Sequence, residues 1–320
     1  MTYAPIALFC YRRLDVLKQT VEALQKNAES KDSMLIIFSD GYKNDEDKKN
    51  VEEVREYIHT IDGFKNIEII EAPTNKGLAN SIIDGVTKIV NEYGKIIVVE
   101  DDILTSPYFL KYMNTALDMY ENDDEVACIS GYTYPIKTDK QSFFLKEAEC
   151  WGWATWKKGW DNFEPNGQKL LDEMITRNLK EDFDFYDSYP FTQMLKDQID
   201  GKNNSWAIRW YASCYLKDKL CLYLGKPVSG NIGFGAEGST HCKSATNMYD
   251  VEINLNDFIL ERIEPKEDVK FRKLFCEFFR KSETKVIGNF LIKKIKFRNK
   301  RTLILFGFIK INYEKKKKNR

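Results

Sequence analysis

The sequence predicts an α/β fold in which a mostly parallel, Rossmann-like sheet is flanked by helices and followed by a basic C-terminal extension. The sheet is predicted because short aliphatic runs alternate with amphipathic helical patterns over the first 130 residues. Such alternation is typical of parallel strands joined by crossover helices. The extension is predicted from charge, since residues 266–320 hold 19 Lys and Arg against 5 Asp and Glu, a net charge of +14.

Five short segments rich in aliphatic residues are predicted as the strands of this sheet. They comprise residues 6–11, 34–38, 67–70, 96–99 and 126–130. The first is followed, not preceded, by Arg12 and Arg13, so it has the charge order of a strand and not of a signal peptide. No Gly-x-Gly-x-x-Gly pattern follows it, and the sequence therefore lacks the usual signature of a dinucleotide cofactor.

Three helices are predicted between these strands, because apolar residues recur there at intervals of three and four. Their apolar stripes are Leu14, Leu17, Val21 and Leu24; Val51, Val54, Tyr57 and Ile58; and Leu78, Ile82, Val86, Ile89 and Val90. Beyond residue 130 the pattern changes to an aromatic block (residues 151–156), an acidic helical stretch (residues 169–201) and a Gly-rich segment (residues 229–241). We expect residues 1–130 and 131–264 to be two halves of one domain and residues 265–320 to be a tail.

The seven cysteines are scattered and form no Cys-x-x-Cys pair, which disfavours both a disulfide framework and a zinc site. No apolar run approaches the roughly 20 residues that span a bilayer. With only His59 and His241, the chain offers little material for a histidine-rich metal site or a Ser-His-Asp triad. These observations predict a cytoplasmic protein that is soluble or peripheral to a membrane.

Basic and apolar residues alternate in the tail, where Ile295 lies between Lys294 and Lys296. The alternation predicts a segment on the anionic inner face of a membrane, where each Lys or Arg contributes about 1 kcal/mol. Nucleic acid is the competing partner. It is disfavoured because residues 1–265 hold 30 Lys and Arg against 44 Asp and Glu, and this net charge of −14 would repel a duplex.

The fourth predicted strand runs directly into Glu100, Asp101 and Asp102. Open α/β sheets bind ligands at the carboxyl ends of their strands. Three adjacent carboxylates near a low-dielectric sheet edge are costly without a cation or a basic partner. The triplet therefore predicts a divalent ion shared with substrate phosphates, with a solvated acidic turn as the alternative.

Two further residues at the same predicted edge suit a nucleotide. Asp40 follows the second strand, where its carboxylate can accept a hydrogen bond from an imide N–H such as that of uracil; a plain Asp-Gly turn is the alternative. Lys76 precedes the third helix, where it and the free helix N–H groups can meet phosphate oxygens. A helix entry with a solvated lysine is equally consistent with that pattern.

In order and spacing, these segments resemble the GT-A glycosyltransferases of family 2. The resemblance rests on residues 9–17 (FCYRRLDVL), 39–41 (SDG), 75–78 (NKGL) and 100–102 (EDD), and it covers roughly residues 4–245. Residues 151–153 (WGW) and 238–241 (GSTH) are most similar to bacterial sugar transferases related to the animal N-acetylglucosaminyltransferase that begins complex N-glycan synthesis.

The resemblance implies a donor site in which Asp102 is the direct ligand of Mn²⁺ or Mg²⁺. The residues implied to contact the donor are Tyr11 and Arg12 beside the nucleotide, Asp40 at uracil N3–H, Lys76 near the diphosphate, Asp101 at ribose or sugar hydroxyls, Trp153 in the sugar pocket wall, and Ser239 and His241. A general base is implied in the acidic helical stretch, where Asp197 and Asp200 are the two matches.

The predicted function is metal-dependent, inverting transfer of a sugar from a nucleotide sugar, most simply a UDP-sugar, to a hydroxyl of a glycan or lipid-linked glycan. A carboxylate base and a metal that neutralises the departing diphosphate suffice for a single displacement. Two alternatives stay open: a sugar-phosphate nucleotidyltransferase, and a non-catalytic glycan-binding protein. For the tryptophans of residues 151–160, plain core packing is the alternative to sugar contact.

Overall fold

A computed structural model of the chain describes residues 3–233 and 248–282, together with the backbone of four short strands within residues 285–314. Its main body is one eight-stranded sheet with the order β3-β2-β1-β4-β8-β6-β9-β7. The strands are β1 (Ile6–Cys10), β2 (Met34–Ser39), β3 (Asn66–Glu71), β4 (Lys95–Glu100), β6 (Val126–Ser130), β7 (Ser142–Leu145), β8 (Trp153–Trp156) and β9 (Leu220–Leu224). All five predicted strands are present.

Strands β1 to β4 pair in parallel, as do β6 and β9, whereas β8 runs antiparallel between β4 and β6 and β7 runs antiparallel to β9. Strands from both sides of residue 130 thus share one sheet. A separate antiparallel pair joins β5 (Ile103–Thr105) to β10 (Ser229–Asn231). This pair brings the start of the Gly-rich segment back to the end of β4.

The helices lie on both faces of the sheet, and α1, α2 and α3 occupy the three predicted stretches. They are α1 (Leu14–Gln25), α2 (Asp45–Ile58), α3 (Leu78–Tyr93), α4 (Phe109–Met119), α5 (Lys157–Trp160), α6 (Gly167–Thr176), α7 (Lys180–Phe183), α8 (Phe191–Ile199), α9 (Trp206–Leu216) and α10 (Val269–Ser282). Helix α3 begins after Gly77 and ends before Gly94, both at positive φ, which glycine adopts without the steric cost of a Cβ.

The core consists of two hydrophobic clusters, one on each face of the sheet. In β4, Ile96 and Val98 belong to the cluster that includes the apolar stripe of α3, while Ile97 and Val99 belong to the one that includes α1. All four side chains are buried, as their unbroken apolar run predicts for a strand covered on both faces. The carboxylates that follow are therefore held on a rigid support.

The tail begins with α10, which packs on the main body. The ring of Phe271 lies 3.7 Å from that of Phe143, and Phe275 lies 4.9 Å from Tyr134. The backbone then forms an antiparallel sheet of β11 (Lys285–Ile287), β12 (Phe290–Phe297), β13 (Lys300–Leu305) and β14 (Ile309–Glu314). Among the residues that the structure describes, no helix is both long and apolar enough to cross a bilayer.

Candidate active site

The carboxyl ends of three neighbouring parallel strands assemble the site. Strand β1 lies between β2 and β4, and the register places Cys10 opposite Ser39 and Phe9 opposite Glu100. The residues that follow these strands, at 11–13, 40 and 101–102, therefore meet at one edge. The backbone is tied together there, because Asp40 N donates to Cys10 O at 3.1 Å and Thr20 Oγ1 donates to Asp101 O at 2.8 Å.

Arg13 is the basic partner of the acid triplet. Its Nη2 donates to Asp101 Oδ1 and lies 2.9 Å from Asp102 Oδ2. The side chains of Arg13, Asp101 and Asp102 are 18%, 6% and 12% exposed, respectively. The carboxylates of Asp101 and Asp102 therefore converge on one point at the rim of the site. This role of Arg13 was not predicted. The sequence feature that could have identified it is the acid triplet itself, because three adjacent carboxylates need a compensating cation.

Arg13 does not fully offset the cost of ionising three adjacent, buried carboxyl groups. Burial raises the pKa of Glu100, and repulsion from Asp102 and Asp101 raises it further, against the attraction of Arg13. Burial also raises the pKa of Asp101, although Arg13 works against this shift. A further cation close to these two carboxyl groups would stabilise their ionised forms.

The donor set fits a hard divalent ion in one specific way. Asp101 and Asp102 offer two converging carboxylates, and oxygen ligands are those that Mg²⁺ and Mn²⁺ prefer. Within the described parts of the chain, however, no three His, Cys, Asp or Glu side chains are arranged to hold a metal. An ion at this edge would thus need further ligands from a nucleotide or from water.

Gly233 covers the acid pair from one side. Ile232 N donates to Asp102 O at 2.8 Å, which continues the pairing of β5 and β10 past the strand end. A Cβ added at Gly233 would overlap Asp102 Oδ2 and would lie 2.8 Å from Arg13 Nη1. Only glycine allows this backbone to approach the acids so closely. The sequence marks this segment as Gly-rich but does not indicate this contact.

Asp40 holds the loop before α3. Its Oδ1 accepts from Gly41 N at 2.9 Å and Lys76 N at 2.8 Å, and its Oδ2 accepts from Gly77 N at 2.9 Å and Asn75 Nδ2 at 3.1 Å. These four bonds use the acceptor capacity of a carboxylate. A uracil N3–H could bind here only by sharing or replacing one of them, so the structure adds a loop-holding role to the predicted one.

The other residues predicted to contact the nucleotide are engaged nearby. Tyr11 OH donates to Asp47 Oδ2 at 2.8 Å, and Arg12 pairs with the same carboxylate in the first turn of α2. Lys76 Nζ lies 2.9 Å from Asp84 Oδ2, on a half-exposed side chain. An exposed ion pair of this kind is worth little, so Lys76 is free to exchange partners.

Trp153 lies in the core and does not line an open pocket, which corrects our expectation. Its side chain is fully buried, with ring centroids 5.4 Å from Trp206, 5.9 Å from Trp210 and 6.0 Å from Trp160. The reason is that β8 is an interior strand, covered by α9. The alternative interpretation of the aromatic block, core packing, is the one that fits Trp153 and Trp160.

Asp197 and Asp200 lie at the C-terminal end of α8. Lys202 Nζ is 3.2 Å from Asp197 Oδ1 and 2.7 Å from Asp200 Oδ2. A hydrogen bond from Gln193 and another from Lys202 lower the pKa of Asp197. None of the hydrogen bonds or ion pairs found among the described residues links either aspartate to the acid triplet. Ser239 and His241 lie outside the described residues.

The comparison with known families agrees with this fold. The model of glycosyl transferase family 2 matches residues 6–176, and the chain belongs to that family. It is therefore a glycosyltransferase with a GT-A-like fold, as predicted. The finer likeness to the N-acetylglucosaminyltransferase stays a prediction, and no curated protein matches the chain significantly.

The matches among solved structures include three proteins of low sequence identity. A mannosyltransferase from Pyrobaculum calidifontis, PcManGT in complex with GDP-Man and Mn²⁺, is 10% identical with a TM-score of 0.36, over 67% of this chain and 70% of that one. TarS from S. aureus is 10% identical with a TM-score of 0.30, over 45% of this chain and 25% of its own. A UDP-glucose pyrophosphorylase complexed with UDP-glucose is 13% identical with a TM-score of 0.36, over 69% and 90%.

Proposed function

We propose that this glycosyltransferase is metal-dependent and inverting, and that it moves a sugar from a UDP-sugar to a hydroxyl of a glycan or lipid-linked glycan. The observation that carries the proposal is the convergence of Asp101 and Asp102 at the end of β4, on the same sheet edge as Asp40. This edge is where open α/β sheets bind nucleotides. Membership of family 2 favours glycosyl transfer over the nucleotidyltransferase alternative.

The donor half of the mechanism follows from the strand ends. Asp102 would hold Mn²⁺ or Mg²⁺ together with the diphosphate, and such an ion, when bound, would act as a Lewis acid that neutralises the leaving group. Asp101 orients ribose or sugar hydroxyls. Asp40 holds the loop at 75–77 and receives the base edge, and Lys76 exchanges Asp84 for a phosphate oxygen. Tyr11 and Arg12 support the nucleotide from the loop between β1 and α1.

The acceptor hydroxyl loses its proton to Asp197 or Asp200. Lys202 pairs with both carboxylates, and the hydrogen bonds from Gln193 and Lys202 lower the pKa of Asp197. This keeps Asp197 in the ionised form that a base requires, but it also weakens Asp197 as a proton acceptor. We expect the acceptor to displace Lys202. Asp197→Asn should leave donor affinity intact and lower turnover by about 10² to 10⁴. Steady-state kinetics decide: if Asp200→Asn is the inactive variant, Asp200 is the base, and full activity of both variants contradicts this assignment. Asp172→Asn, an exposed aspartate on α6, is the control.

Donor binding tests the proposal. UDP-sugars should raise the melting temperature in the presence of Mn²⁺, because a ligand bound to the folded state stabilises it by mass action. GDP- and TDP-sugars are compared under the same conditions, with Asp102→Ala as the negative control. If only a GDP-sugar stabilises the protein, the proposed donor would become a GDP-sugar and the proposed reaction would stay the same. The absence of stabilisation by every nucleotide sugar, with and without metal, would contradict the proposal.

For the tail, we propose an anionic membrane surface as the partner, which makes the enzyme peripheral on the inner face of the membrane and suits a lipid-linked acceptor in polysaccharide biosynthesis. The support is the net charge of +14 over residues 266–320. Anionic lipid attracts such a segment within about a Debye length. The body, at −14, makes no such contribution.

A further inference from the structure

The main chain of Arg13 is fixed independently of the ion pairs that its side chain makes. It is the residue that precedes α1, and Leu17 N donates to Arg13 O at 3.1 Å, so its main chain belongs to the first helical turn. Its side chain reaches across to the end of β4, 88 residues further along the chain. The guanidinium therefore points into the acid pair from a rigid base.

The guanidinium occupies the place that a cation at Asp102 would need. Arg13 Nη2 is 2.9 Å from Asp102 Oδ2 and also donates to Asp101. A Mg²⁺ or Ca²⁺ ion binds its oxygen ligands at about 2.0 to 2.6 Å, a distance that brings it into repulsive contact with a positive group on the same oxygen. The backbone of Gly233 blocks retreat on one side. For a metal ion to bind, the Arg13 side chain must therefore move away from the acids, on the side that is not covered by Gly233.

A nucleoside diphosphate would provide Arg13 with a new partner. Leaving the acids without one would cost two charge-assisted hydrogen bonds, which are among the stronger polar contacts in proteins. Guanidinium groups bind phosphate oxygens in the same forked geometry as carboxylates. The diphosphate would also supply the metal ligands that the described side chains lack. Because of each of these effects, bound metal should strengthen the binding of the nucleotide and bound nucleotide should strengthen the binding of the metal.

We propose that Arg13 is an internal counter-cation that occupies the acid pair until the donor arrives, and that it thereby makes metal binding depend on the nucleotide. The inference rests on the proposed metal-dependent function. Arg13 is a positioning residue in this scheme, because it acts through Asp101 and Asp102. Coupling between two ligands is reciprocal, so Mn²⁺ and UDP should each tighten the binding of the other, typically by about 5- to 150-fold.

The test is the affinity for Mn²⁺ of the full-length protein, measured by titration with and without UDP. We expect the wild type to bind Mn²⁺ weakly alone and at least about 5-fold more tightly with UDP. In Arg13→Gln, the affinity for Mn²⁺ alone should rise and the effect of UDP should shrink. Lys18→Gln, which removes a charge from α1 without touching the acids, should behave like the wild type.

A second readout follows the fold. Without metal, Arg13→Gln leaves the carboxylates uncompensated and should melt below the wild type, and Mn²⁺ should raise its melting temperature more than that of the wild type. Arg13→Lys, which keeps the charge and loses the fork, serves if the glutamine variant does not fold, and should show a smaller UDP effect than the wild type.

The outcomes separate the inference from the proposed function. If Asp102→Ala abolishes Mn²⁺ binding while Arg13→Gln binds Mn²⁺ no more tightly than the wild type, the counter-cation role is wrong and metal dependence stands. If the wild type binds Mn²⁺ equally well with and without UDP, the coupling is wrong. If it binds no Mn²⁺ under either condition, metal dependence and the inference both fail.

Discussion

At the scale of single residues, the chemistry of the site follows from where each strand stops. Asp40, Asp101 and Asp102 could be placed at one sheet edge from sequence, because an apolar run that ends in an acid marks the carboxyl end of a buried strand. Their partners could not be placed. The pairing of Arg13 with Asp101 depends on how β1 and β4 align, and the bonds from residues 75–77 to Asp40 depend on a loop that no periodicity describes.

A second buried acid pair, Glu147 and Glu149, gives a prediction about pH. Burial and mutual repulsion raise the pKa of Glu147, whose carboxylate accepts a hydrogen bond from Tyr223, and burial raises the pKa of Glu149. The folded state therefore binds more protons than the unfolded state, in which a glutamate has a pKa of about 4.3. The contribution of this pair to the free energy of unfolding is fully present below that pH and is lost as pH rises through the folded pKa values.

Glu147→Gln removes one of these protonation sites and relieves the other. We expect its free energy of unfolding to fall less between about pH 5 and 8 than that of the wild type. Urea denaturation at several pH values measures this, with Glu56→Gln on the exposed face of α2 as the control. A variant whose pH dependence matches the wild type would show that the pair titrates normally in the folded protein.

At the scale of secondary-structure elements, the strands and helices of the first 130 residues were predictable because most of the strands are buried on both faces and the helices have one apolar stripe. The block around Trp153 was not. Alternation along β8 indicates two faces, but which face is covered is decided by Trp206 and Trp210 on α9, more than 50 residues away in sequence. The sequence alone therefore could not decide whether Trp153 packs in the core or lines the sugar pocket.

Trp153 should accordingly matter for stability. Trp153→Ala is expected to lower the free energy of unfolding by about 3 to 5 kcal/mol, the usual cost of removing a large buried aromatic side chain. Trp153→Phe should cost less, since it keeps a ring in the cluster. Chemical denaturation measures both, with the half-exposed Tyr93→Ala as the control. If Trp153→Phe instead weakened donor binding at unchanged stability, the pocket-wall role would return.

The turn between α7 and α8 shows a feature that sequence patterns do not reveal. Phe185, Tyr186 and Asp187 all have positive φ, a conformation that costs L-residues roughly 1 to 2 kcal/mol each. Helix α10 holds this turn, because the guanidinium of Arg272 lies 4.4 Å from the ring of Phe185 and Cys276 Sγ donates to Phe185 O at 3.2 Å. The start of the tail is thus part of the folded body.

At the scale of the whole molecule, charge is the feature that sequence predicts most directly, since it needs no alignment and no contact. The net charges of −14 and +14 on either side of residue 265 are facts of composition. The antiparallel arrangement of β11 to β14 was not predicted. Strand β14 alternates apolar and polar residues at period two, but β12 and β13 group their basic and apolar residues, so the sequence pattern did not indicate a sheet.

Tail truncation tests the membrane proposal. A chain cut after Asn312 loses the terminal lysine cluster and should bind anionic vesicles more weakly than the full chain. This difference should shrink at high salt, because charges are screened over about 8 Å at physiological ionic strength and over shorter distances as salt rises. A cut at residue 282 keeps α10 on the body and should abolish binding. Co-sedimentation at low and high salt measures both. Equal sedimentation of all chains with anionic and neutral vesicles would exclude the membrane role.

The central claim is that Asp102 holds a metal ion on which sugar transfer depends, and its most direct test is Mn²⁺-dependent turnover of a UDP-sugar by the wild type and by Asp102→Ala. We predict that the variant keeps its far-ultraviolet circular dichroism spectrum and loses Mn²⁺-stimulated turnover, because the leaving diphosphate is no longer neutralised. Glu56→Ala, far from the strand ends in sequence and exposed on α2, should retain it. Turnover by Asp102→Ala at the wild-type rate with Mn²⁺ would contradict the claim.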